Sequence, residues 1–107
     1  MRFMVMAISA EAVATMREYN KSLQKAGVLL ALDELFPPST GARISYLDGK
    51  PTVTDGPFAQ SNEVLGGYWI IEVRSREEAI EWAKRAPMSN HEVIEVRQIH
   101  EMYERYP

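Results

Sequence analysis

The chain opens on Arg2-Phe3-Met4-Val5-Met6-Ala7-Ile8, apolar at odd and even positions alike, which predicts a strand covered on both faces. After Ser9, a fitting N-cap, the period changes. Ala12, Met16, Tyr19, Leu23 and Ala26 recur in alternating steps of four and three, one stripe of a helix that Gly27 closes. Residues 28–35 predict a second strand, ended by Pro37-Pro38-Ser39-Thr40-Gly41, which continues neither a helix nor a ladder. Residues 43–47 and 52–54 flank Asp48-Gly49, a hairpin turn signal, and Pro51 puts the second arm at a sheet edge or delays its start. A loop over residues 55–67 follows, with a turn of helix expected around Asn62 to Leu65. Tyr68-Trp69-Ile70-Ile71-Glu72-Val73 then reads as a strand of aromatic and β-branched residues.

Ser75-Arg76-Glu77-Glu78 is a capping box. The helix it starts carries Ala79, Ile80, Ala83 and Ala86 on one side, with Glu81 and Arg85 at i,i+4 outside, and Pro87 stops it. Residues 92–99 predict the last strand, and Ile99, Met102, Tyr103 and Tyr106 give the tail a helical spacing. The order is strand, helix, strand, hairpin, strand, helix, strand. That is the βαββαβ pattern of an α+β, ferredoxin-like fold with a β-hairpin insertion, an antiparallel sheet with two helices on one face. Such a sheet should alternate apolar and polar residues, yet the first strand does not, and Tyr68/Ile70 and Trp69/Ile71 place apolar groups on both sides of another. A second copy of the chain, packed sheet to sheet, is the expected cover; a monomer with some exposed aromatics is the alternative.

The 107 residues suit one domain over 1–107, with 99–107 a short C-terminal tail. The chain has no Cys, which excludes thiol nucleophiles, zinc ribbons and Fe–S clusters. A net charge of −3 gives no footprint for nucleic acid, and the basic row of Arg17, Lys21 and Lys25 reads as a solvated helix face. No apolar run approaches a membrane span, and the N-terminus lacks the pattern of a signal peptide, so a cytoplasmic location is expected. No cofactor and no metal are expected, because phosphate loops, dinucleotide fingerprints and metal-ligand spacings do not occur.

Thr54-Asp55-Gly56-Pro57-Phe58-Ala59, then 66–73, then Glu78-Ala79-Ile80-Glu81-Trp82-Ala83 resemble the DGPF-motif family of YCII-related proteins. Arg2-Phe3-Met4, Ala26-Gly27-Val28-Leu29-Leu30 and Ile94-Glu95-Val96-Arg97 fit the same pattern, so the likeness covers nearly the whole chain. It implies a dimeric α+β barrel of ferredoxin-like protomers. It implies little about activity, although the wider superfamily includes small lyases, isomerases and monooxygenases acting on cyclic or aromatic compounds. Some relatives are linked to alternative sigma factors, which would suit a regulatory interaction module. The sequence also departs from these relatives. Where narrower members carry a His on the first helix, paired with an Asp, about position 16 here holds Met16. Ala31-Leu32-Asp33-Glu34-Leu35 lacks the two glycines common in that strand, and Gln60 and Asn62 stand where an acid and a Lys are usual.

Two carboxylates are catalytic candidates. Asp55, in a Gly-Pro loop, is either a base made effective by burial or the acceptor of an Asx turn that holds the bend. Gly56 precedes a proline, so a cis peptide there is open, with trans the commoner state. Asp33 and Glu34 point to opposite faces of their strand; either one beside Asp55 would make an acid–base pair, and a strand end emerging into water is the alternative. Phe58, Tyr19, Tyr68 and Trp69, with Phe36, are candidates to line a pocket for a small apolar or aromatic ligand between sheet and helices, or else core and dimer contacts. His91 and His100 have no partner at a telling spacing and read as surface residues. Three functions remain open at this point: a ligand-binding dimer, a cofactor-independent lyase or isomerase using Asp55 or Asp33 as base, and an interaction module.

Overall fold

The computed structural model describes residues 1–8, 16–58 and 64–101. Its elements are β1 (Arg2–Ile8), α1 (Arg17–Lys25), β2 (Leu29–Glu34), β3 (Ala42–Leu47), β4 (Lys50–Asp55), β5 (Leu65–Glu72), α2 (Arg76–Lys84) and β6 (Val93–Gln98). Four strands form an antiparallel sheet in the order β2-β5-β1-β6, and β3-β4 form a separate two-stranded sheet. With the hairpin set aside, that order is the ferredoxin-like arrangement the pattern predicts. Extents of 45 × 43 × 18 Å suit a molecule of two layers.

The odd residues of β1 and β5 face the helices. Phe3, Val5, Ala7, Trp69 and Ile71 are buried there with Met16, Tyr19 and Leu23 from the first helical segment and Ala79 and Ala83 from α2. The small alanines let α2 lie close to the sheet, while the aromatic pair Tyr19–Trp69 fills the space under α1, edge to face at 5.3 Å. The polar ends of both rings are satisfied. Tyr19 Oη donates to the Trp82 carbonyl at 2.8 Å and Trp69 Nε1 to Asn20 Oδ1 at 2.7 Å. Buried phenol and indole groups need such partners; the Tyr19 bond joins α1 to α2, and the Trp69 bond joins α1 to the sheet.

The caps follow local chemistry. Ser75 Oγ accepts from the Glu78 N–H at 3.1 Å, and Glu78 Oε2 accepts in turn from the Arg74 N–H at 2.9 Å, so the capping box closes one residue earlier than its simplest form. At the end of α1, Val28 N–H donates to Leu23 O and Gly27 N–H to Gln24 O, a Schellman pair. Ser9 and Ala12, the expected start of that helix, lie outside the described residues, and Met16 holds the cap position without a side-chain bond. Ala26, expected on the buried stripe, is exposed at the C-cap because the helix has already ended.

Two further expectations change. Glu81 pairs with Lys84 at 3.1 Å rather than with Arg85, whose guanidinium lies over the Trp82 ring at 4.5 Å. Arg85 is the C-cap of α2, and its contact with the Trp82 ring takes the place of a pair with Glu81. The helical turn expected up to Leu65 is also absent at its described end: Leu65 opens β5, paired with Ile8, while Asn62 lies outside the described residues. Within the tail, Arg2 and Glu101 meet through two bonds of 3.0 Å, which fasten the segment after β6 to the start of β1. The rest of the tail stripe lies outside the described residues.

Candidate functional site

Three places on the molecule collect the residues that carry chemistry. The first is the sheet face away from the helices. Here the register aligns two rows across the strands, Ala31–Ile70–Met4–Arg97 and Asp33–Tyr68–Met6–Glu95. Met4, Met6, Ile8, Tyr68 and Ile70 are half-buried and form an apolar centre, with charges toward both edges. Cross-strand pairing brings two candidates together: Tyr68 Oη donates to Asp33 Oδ2 at 2.8 Å. The Asp33 carboxylate, as acceptor and as a nearby negative charge, holds the Tyr68 phenol above its ordinary pKa, because ionised Tyr68 would lose the bond and face a like charge.

The second place is the root of the hairpin. Leu35 N–H donates to Gly66 O at 2.9 Å, so the chain leaves the sheet and returns to it at one neck. Beyond the neck, Pro38–Thr40 form a 3₁₀ turn, and the arm runs out through β3 and back through β4. Asp48 and Gly49 both take positive φ, 51° and 76°, as the two-residue turn requires. Pro51 lies inside β4, opposite Tyr46, and a two-stranded sheet consists only of edges, so its missing N–H costs little. Every residue of the arm is exposed.

Gly56 closes the root. Its N–H donates to Gly41 O at 2.9 Å, and a Cβ built at this position would lie 1.7 Å from the Pro38 carbonyl oxygen. Only a residue without a side chain fits. The Gly56–Pro57 peptide is cis. Asp55 ends β4 opposite Ala42; its side chain is exposed and accepts no hydrogen bond among the described residues. Neither burial nor an Asx turn is therefore present at Asp55, since the Gly56–Gly41 bond holds the bend. Asp33 has Tyr68 rather than Asp55 as its partner.

A cavity of about 380 Å³ opens beside this root, lined by Leu35, Phe36, Phe58, Val64 and Leu65 with the Pro37-Pro38 segment and Arg43. The Arg43 guanidinium stacks over the Phe58 ring, 4.1 Å from its centroid. Of the five aromatic candidates, Phe36 and Phe58 line this cavity, Tyr68 stands on the open sheet face, and Tyr19 and Trp69 belong to the helix–sheet core. Burial pushes the Tyr19 phenol up to about 12, against an opposing pull from Arg85. Met16, where the family resemblance places a His, is a buried core residue.

The third place is a groove of about 560 Å³ between α2 and β6, lined by Ile80, Ala83, Met88, Ile94 and Val96 with Arg76, Lys84 and Glu92 at its polar rim. It is an opening between sheet and helix, and none of the expected pocket residues lines it. Among the described residues no group of three or more His, Asp or Glu is placed to hold a metal ion. His91 and His100 are exposed. Arg43 is the charged cavity-lining side chain that sequence reasoning missed. Its place in the first half of a hairpin strand carries no motif, and only the fold brings it to Phe58.

The profile of the YCII-related domain matches residues 1–103. The chain belongs to the YCII-related family. A curated relative, the uncharacterised protein R00369 of Rhizobium meliloti (strain 1021), is 33% identical over 66 residues. That match covers 62% of this chain and 53% of the relative, so it spans about half the relative's length. This YCII-related domain has no helix, among its described residues, long and apolar enough to cross a membrane.

Proposed function

We propose that this YCII-related domain, a member of the DGPF group, is a homodimer that binds a small apolar or aromatic ligand in the cavity at the hairpin root. The cavity carries the reading. About 380 Å³ lies in the lower part of the ~300–1,000 Å³ range of small-molecule sites, and its lining is almost wholly apolar. Gly56 supports it, because the DGPF segment is pressed against Pro38 so closely that the root holds one shape. The apolar centre of the open sheet face supports the dimer, since Met4, Met6, Ile8, Tyr68 and Ile70 gain from being covered.

A titration of the protein with small aromatic compounds, followed by NMR, tests the ligand. Saturable shifts confined to Phe58, Val64 and their neighbours, lost in Phe58→Ala, are expected; shifts scattered over the surface would count against the site. Sedimentation of Ile70→Asp and Tyr68→Asp tests the dimer. Both should dissociate more readily than the parent, because a buried, unpaired charge is costly; an unchanged dimer in both removes the sheet-to-sheet arrangement.

A second reading is a cofactor-independent lyase or isomerase, and the Tyr68–Asp33 bond favours it. A carboxylate beside a phenol that keeps its proton offers a base and an acid on one face, with Asp33 as base. A dimer closed over this face would remove the pair from water. The reading requires that Asp33→Asn abolish turnover of a substrate that still binds.

A further inference from the structure

The side chains of the hairpin-root cavity present little polarity. Of the described residues that line it, only Thr40 and Arg43 carry polar side-chain atoms. Thr40 Oγ1 already donates to Pro37 O at 2.8 Å, and the backbone N–H groups of Thr40 and Gly41 donate to Pro37 O and Pro38 O. The Arg43 guanidinium is what remains. It makes no ion pair among the described residues, and Asp55, the acid that ends β4, is on the other side: Asp55 pairs with Ala42 and Thr54 with Arg43, so alternation sends Asp55 and Arg43 to opposite faces of the hairpin. The contact with Phe58 uses no N–H donor to an acceptor among the described residues, so the guanidinium fork is left for a carboxylate, which it matches with two parallel bonds. The stack also limits the rotamers of a long side chain, so less freedom is lost when a ligand arrives.

We propose that the cavity at the hairpin root takes a small aromatic carboxylate, its ring among Phe36, Phe58 and Leu35 and its carboxylate on the edge of Arg43. The proposal rests on the reading of this cavity as a ligand site and adds the charge and chemical class of the ligand. An apolar wall with one cation that has no ion-pair partner among the described residues is complementary to a molecule with one ring and one negative charge. A neutral ring would leave the guanidinium without an anion, and an inorganic anion would leave the apolar wall in contact with water.

The test compares benzoate, benzamide and inorganic phosphate against the full chain by NMR titration. Benzoate should saturate, shifting the Arg43 Nε–H and the Leu35 and Val64 methyl signals. Benzamide, the same size without the charge, should bind about tenfold more weakly or less, the discrimination expected for one charge-assisted contact. Phosphate should leave the methyl signals in place. Arg43→Met should lower benzoate affinity by that same factor and leave benzamide unchanged, with an otherwise unaltered amide spectrum showing the fold intact. Arg43→Lys keeps the charge without the fork and should fall between the two. If benzamide binds as well as benzoate, the carboxylate inference fails while the apolar ligand site stands. If neither compound shifts the cavity signals, both fail. Benzoate binding that Arg43→Met does not weaken also overturns the inference.

Discussion

Tyr68 Oη donates to Asp33 Oδ2 at 2.8 Å across the β5–β2 ladder, on the sheet face that the helices leave open. The acceptor is a carboxylate, and its hydrogen bond and charge together keep the Tyr68 proton in place. Replacing Asp33 by Asn removes the charge but keeps the shape. The Tyr68 phenol should then titrate closer to its ordinary value than in the parent, as read from the ring carbon next to the hydroxyl in labelled protein. An unchanged Tyr68 titration in Asp33→Asn would show that the carboxylate does not govern this phenol.

Tyr19 should set a slope on the alkaline side of stability. Its phenol ionises near 10 in the unfolded chain and at about 12 when folded, so between these values the folded state holds the extra proton. Stability from this group is complete below about pH 10 and falls as pH rises toward 12. Tyr19→Phe should flatten that descent in urea unfolding at several alkaline pH values. At neutral pH the loss should be near 1 kcal/mol, because the Trp82 carbonyl keeps the Arg85 N–H as a donor.

Gly56→Ala should open the hairpin root. The added methyl meets the Pro38 carbonyl, and crowding of this kind costs about 1–3 kcal/mol. The strands of the arm are exposed throughout, so part of the strain should be released locally rather than through global unfolding. Amide exchange at Gly56, whose N–H is bonded across the root to Gly41 O, should quicken far more than exchange in β1. Equal quickening in β1 would mean that root and sheet unfold as one unit.

Asp55→Asn should change stability by less than about 0.5 kcal/mol, as for surface substitutions that remove no contact. The side chain is exposed and accepts no bond among the described residues. A loss of 1 kcal/mol or more in chemical denaturation would reveal a role for the carboxylate that the protomer does not display.

The sheet and its two helices are legible in the sequence because period and caps agree there. The stripe of Met16, Tyr19 and Leu23, the Ser75 box and the Asp48-Gly49 turn each rest on local chemistry, and tertiary contacts reinforce them. The double apolar character of β1 is legible for the same reason: Phe3, Val5 and Ala7 face the helices, and Met4 and Met6 face the other way. The site was harder to read. Asp55 drew attention as a carboxylate in a rigid loop, but the rigidity belongs to Gly56 and to the Pro38 carbonyl against it. Tyr19 and Trp69 are aromatic residues whose polar atoms bond across the core, and nothing in residue type separates them from the cavity residues Phe36 and Phe58. Arg43 and Phe58 stand fifteen positions apart and meet only because the arm returns to its own neck.

That neck also says something about how this architecture can change. The arm departs after Leu35 and rejoins before Gly66, two residues already joined by a backbone hydrogen bond and continuous with paired strands. Everything between them hangs from a closed loop whose ends the sheet holds in place by itself. Doubling the length of such a loop costs only about 0.6 kcal/mol in closure entropy. The arm is thus a graftable part, and longer, shorter or unrelated segments can be carried there while the four-stranded sheet stays the same.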